Sequence, residues 1–156
     1  METKVYYLTN NRSLRNVRAY LKENGTAFTS HSMITNPLTW EQLFEILLHT
    51  ENGVDDILST KSNDYVSLKE QGVDFEEITL TELHKLVEQY PKLIRSPITV
   101  TNGMTMVGYM EDEITTLMDR KAKKESYLKT LNTVRAEDKE IEKIKHSKYD
   151  RVSLAQ

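Results

Sequence analysis

Residues 4–9, Lys4-Val5-Tyr6-Tyr7-Leu8-Thr9, are a run rich in β-branched and aromatic side chains, and a helical spacing of apolar residues follows directly over 13–22. The first stretch reads as a strand and the second as a helix. Gly25 offers the helix a stop, and 27–33 reads as a second strand ended by Pro37. Strand, helix and strand in so short a span imply a right-handed crossover that lays the two strands parallel. That unit commits the chain to an α/β fold.

Two further strands are expected much later in the chain. Ile98-Thr99-Val100-Thr101 and Met104-Thr105-Met106-Val107 flank Asn102-Gly103, the dipeptide best suited to the positive φ angles of a two-residue hairpin. They add antiparallel neighbours and bring the sheet to four mixed strands. Residues 38–92 lie between the two halves and read as a helical insertion. Thr39-Trp40-Glu41-Gln42 is a capping box, predicting a helix to about His49 with Trp40 packed at its base. Short helical pieces punctuated by Gly72 follow, with a second capping box at Thr79-Leu80-Thr81-Glu82 and a stop at Pro91. A last helix is expected from Glu111, whose acidic first turn suits the helix dipole, and it continues into a charged extension over 119–156.

At 156 residues the chain suits one domain able to bury a real core without staples. Zero cysteine excludes disulfides and all thiol chemistry. No apolar run follows a basic start and the longest apolar stretches are a few residues, so a cytoplasmic protein without membrane spans is expected. A net charge of -3 argues against a general nucleic-acid binder. The charge is uneven, however: residues 1–118 carry 10 Lys/Arg against 17 Asp/Glu, and residues 119–156 carry 11 against 7. The basic extension is either a solvated mixed-charge helix or an appendage able to approach phosphate when another protein holds the body near DNA.

Four segments in order carry a family resemblance: Arg15-Asn16-Val17-Arg18-Ala19-Tyr20-Leu21; Thr50-Glu51-Asn52-Gly53 with Leu58-Ser59-Thr60-Lys61-Ser62; Leu93-Ile94-Arg95-Ser96-Pro97-Ile98; and Val107-Gly108-Tyr109-Met110-Glu111-Asp112-Glu113-Ile114. The chain resembles the Spx branch of the arsenate-reductase-like (ArsC) family over roughly its first 120 residues. The resemblance implies a thioredoxin-like fold, with residues 1–118 as the family domain and 119–156 as a helical extension. It implies a cytoplasmic transcription regulator that binds the C-terminal domain of the RNA polymerase α subunit, with no cofactor and no catalytic turnover. Contact with promoter DNA would be indirect or weak, and the Leu154-Ala155-Gln156 end resembles the segment that delivers Spx to the ClpXP protease.

Several residues acquire expected roles from this resemblance. Asn11-Arg12-Ser13-Leu14 fills the strand-to-helix slot that holds CxxC or CxxS in thioredoxin-like folds, so the regulator is expected to be redox-insensitive. Ser96-Pro97 falls at the family's cis-proline, where two arginines commonly precede the proline. Here Arg95 remains and Ser96 replaces the second. Gly53 matches a glycine on the surface that docks against the α subunit, with His49, Glu51, Asn52 and Asp55 as neighbours by spacing. As a plain sequence feature, the same glycine reads as a helix C-cap. Lys61 matches a regulatory position that is usually Arg. Arg12, Arg15 and Arg18 form a strip that is either an anion contact or solvent-exposed charge. The four histidines show no metal-ligand spacing. The alternative function is a cysteine-free interaction module for another protein; a reductase is excluded by the missing nucleophile.

Overall fold

In the computed structural model β1 (Thr3–Tyr7) leads into α1 (Arg12–Glu23) and then β2 (Phe28–Ser32), with β1 and β2 parallel and Thr3 opposite Phe28. The structure describes residues 2–101 and 103–154, with the backbone alone described at 120, 121, 124 and 142–154. Four helices, α2 (Trp40–Leu48), α3 (Val54–Ile57), α4 (Asn63–Glu70) and α5 (Leu80–Gln89), and a 3-10 turn at Pro91–Leu93 precede β3 (Ile98–Thr101) and β4 (Met104–Val107). The last helix, α6, runs from Glu111 to Leu154. Strand order is β2-β1-β3-β4, with β3 antiparallel to both neighbours. This is the four-stranded α/β sheet with a helical insertion that the strand and turn signals predict, in the thioredoxin-like form that the family resemblance implies; Asn102 of the hairpin signal lies outside the described residues, as do Ala155 and Gln156.

The sheet is covered on both faces, and side-chain alternation along β1 divides the coverings. Tyr6, Ile98 and Val100 join Leu43, Ile46, Ile57, Leu83, Leu93 and Ile94 in a core shared with the insertion. Val5, of opposite parity, is buried outside that cluster, as are Leu14, Val17 and Leu21 of α1 and Ile114 and Leu117 of α6. The Tyr20 hydroxyl at 3.5 Å from Thr115 Oγ1 places α1 beside the start of α6. Both capping boxes form: Thr39 accepts from the Gln42 N–H and Thr79 from the Glu82 N–H, each at the start of its helix. Trp40 differs from expectation. It is 40% exposed and stacks on Phe44, ring centroids 5.4 Å apart, because the core face of α2 is taken by Leu43 and Ile46. The chain divides into two units, one through Leu117 and one from Met118 onward.

Candidate functional site

Asn11 holds the turn between β1 and α1. Its Oδ1 accepts from the Leu14 N–H at 2.8 Å as the helix N-cap, and its Nδ2 donates to the Ser96 carbonyl at 3.4 Å. Ser96 is engaged on its other side, since its Oγ accepts from the Leu8 N–H at 2.9 Å, and the Ser96-Pro97 peptide is cis. Leu14 is fully buried. Asn11 and Ser96, both neutral, therefore tie this loop to the cis-proline segment, and buried Leu14 anchors the start of α1. Arg12 is exposed, and Ser13 is half-buried. Of the other two arginines of the strip, Arg15 donates to the Asn10 carbonyl at 2.9 Å, and Arg18 lies over the Tyr7 ring at 5.0 Å.

The second cluster is the turn after α2. His49 caps α2, and Thr50 satisfies the Leu47 carbonyl with its hydroxyl at 2.7 Å. Gly53 is not the C-cap of α2. It stands four residues past His49 as the N-cap of α3, with φ 66° and ψ -129°, a conformation that disfavours any residue with a Cβ. A Cβ built there would meet nothing within 4 Å, so the space outside it is open. Asp56 closes the turn: its carboxylate accepts from the Asn52 N–H at 2.9 Å and from Asn52 Nδ2 at 3.2 Å. The Asn52 N–H, chiefly, holds the Asp56 carboxyl below the usual carboxylate range, with Arg95 the smallest contributor. Glu51 and Asp55 are exposed beside it. Asp56 is the residue that spacing arguments missed, although Asn52 and Asp56 at i and i+4 across a glycine were a usable sign.

These clusters are joined through backbone. The Arg95 N–H donates to the Ile57 carbonyl at 2.8 Å, the Ser59 N–H donates to the Leu93 carbonyl at 2.7 Å, and Leu58 bridges Ile94. Arg95, Ser96 and Pro97 thus link the 11–14 loop, through Asn11, to α3 and the Gly53 turn. The Arg95 side chain is exposed. Lys61 is exposed on the tight turn before α4, where Ser62 Oγ donates to the Ser59 carbonyl at 2.8 Å. On the far side, the His49 ring packs against the β3–β4 hairpin: a Cβ on Gly103 would lie 3.3 Å from its Cε1. Thr105 of β4 donates to the Ile46 carbonyl at 3.0 Å and fixes the end of α2 to the sheet. The Gly53 turn therefore presents the exposed side chains of Glu51, Asn52 and Asp55 beside an α2 that is tied to the sheet. Among the described residues no group of three His, Asp or Glu could hold a metal ion, and no helix is long and apolar enough to cross a membrane.

The model of the ArsC family matches residues 6–117. The Spx global transcriptional regulator of Streptococcus pneumoniae is 40% identical over 113 residues, 72% of this chain and 83% of that protein. The Streptococcus mutans Spx regulator is 36% identical over 125 residues, 80% of this chain and 88% of its own length. Among solved structures, an ArsC family related protein from Bacteroides fragilis superimposes with a TM-score of 0.62 at 22% identity, covering 75% of this chain and 98% of that one. The structural likeness speaks for the fold, and both of these relatives in sequence are Spx global transcriptional regulators.

Proposed function

The chain belongs to the ArsC family, and on that footing we propose that it is a transcription regulator of the Spx type that docks on the C-terminal domain of the RNA polymerase α subunit. The observation that carries this reading is the 40% identity to a named Spx regulator over a span that includes the Gly53 turn. The half-buried glycine at φ 66°, beside His49 and the exposed Glu51, Asn52 and Asp55, supports a docking role for that turn. Asn11, Ser96 and buried Leu14 in the loop, together with the absence of cysteine, support regulation by abundance rather than by disulfide formation. On this reading Arg95 and Lys61 tune the docked surface, and the basic extension makes weak, salt-sensitive contact with promoter phosphate once the body is held nearby.

Calorimetric titration with the isolated α-subunit domain tests the proposal. Binding should be unchanged by reductant and should weaken more than tenfold in Gly53→Arg. Gly53→Ala is run alongside, because a Cβ at φ 66° strains the turn by about 1–2 kcal/mol whatever the partner. Loss in Arg well beyond that in Ala identifies a contact surface. No binding by the unmodified chain would pass the turn to a different protein partner.

A further inference from the structure

Beyond residue 118, α6 carries an exposed apolar seam. Tyr127, Leu131, Val134 and Ile141 are 72%, 43%, 46% and 50% exposed, and Leu128 beside them is 39% exposed. They follow the four-three alternation of a coiled-coil seam, with Asp138 taking the one intervening position. Such a seam asks for another helix, and the charges along this one indicate which. Residues 123–130 contain three basic residues and one acidic, whereas residues 135–142 contain four acidic and two basic. A parallel pair would set each block against itself and Asp138 against Asp138. An antiparallel pair with Leu131 opposite the second copy's Val134 sets the basic block against the acidic one. The same register places Tyr127 opposite the second copy's Asp138, so a phenol hydroxyl can donate to the carboxylate that would otherwise interrupt the seam. Polar seam positions of this kind fix register and orientation.

We infer that the 123–142 part of α6 pairs with the same segment of a second copy as an antiparallel two-helix coiled coil, so that the chain is a dimer through its extension. The full chain should have a mass in solution near twice 18.2 kDa at high micromolar concentration, and Leu131→Asp should return it to 18.2 kDa. The cysteine-free background makes orientation readable. A mixture of Tyr127→Cys and Asp138→Cys chains should form a covalent dimer on mild oxidation, and neither variant alone should. Within one variant the two thiols of an antiparallel pair lie about 16 Å apart along the axis, beyond disulfide reach. A monomeric full chain, a dimer indifferent to Leu131→Asp, or cross-linking of Tyr127→Cys with itself would each overturn the inference.

Discussion

Asn11 and Tyr6 show opposite ways of placing a polar group near the sheet. Asn11 spends both ends of its amide, one on the helix cap and one on Ser96, so truncation to Ala removes a cap worth about 1 kcal/mol and unties the loop from the cis-proline segment. Tyr6 is 1% exposed, and its hydroxyl has no hydrogen-bond partner among the described residues. Burial first, and Glu45 and Glu2 second, push its phenol up to about 12. A phenol whose folded pKa lies above its unfolded value near 10 holds its proton in the folded state while the unfolded chain ionises. Stability should therefore be unaffected below pH 10 and fall as pH rises through the interval from 10 to 12. Tyr6→Phe should abolish that alkaline loss and raise stability at neutral pH by about 1 kcal/mol, since it removes an unpaired buried hydroxyl and keeps the ring against His31. Urea denaturation at pH 8 and pH 10.5 checks both. A less stable variant would mean that the hydroxyl is bonded.

At the scale of elements, the Gly53 turn owes its shape to the Asn52–Asp56 pair and its position to α2 and the hairpin. Because the Asp56 carboxyl is held below its ordinary range, its contribution is complete above the unfolded carboxylate value of about 4 and is lost as pH falls through the lower folded value. Asp56→Ala should cost about 0.5–1 kcal/mol at neutral pH, discounted for its partial exposure, and should weaken binding to the α-subunit domain without altering the sheet. Thermal melts and the same calorimetric titration measure the two effects; unchanged affinity would show that the turn keeps its shape without the pair. What was legible here in sequence was local. Capping boxes at Thr39 and Thr79 and the strand pair around Gly103 depend on residues within a few positions, and they form where they are written. Trp40 departs from its local pattern because burial is decided by distant neighbours: the same helix offers two faces, and packing gives the core to Leu43 and Ile46. The backbone link from Arg95 to Ile57 was likewise invisible, since a main-chain hydrogen bond between remote segments leaves no mark in residue type.

At the scale of the whole molecule, α6 begins as part of one unit and continues as another. Ile114 is fully buried and Leu117 is 5% exposed, so the first two turns of α6 are core, whereas Tyr127, Leu128, Leu131, Val134 and Ile141 are 39–72% exposed. A single helix thus serves two energetic purposes, with the change near Met118. A chain ending at residue 118 should keep the sheet, the insertion and the Gly53 turn, and its melting temperature should stay within about 3 °C of the full chain's, a shift that corresponds to less than ~1 kcal/mol. A chain ending at 110 loses the buried Ile114 and Leu117, two aliphatic side chains worth about 2–5 kcal/mol each, and should melt at least ~15 °C lower or fail to fold. If the 1–118 chain binds the α-subunit domain as the full chain does, docking belongs to the body alone. Large destabilisation of the 1–118 chain would instead show that the extension supports the body, and the boundary at Met118 would cease to be an energetic one.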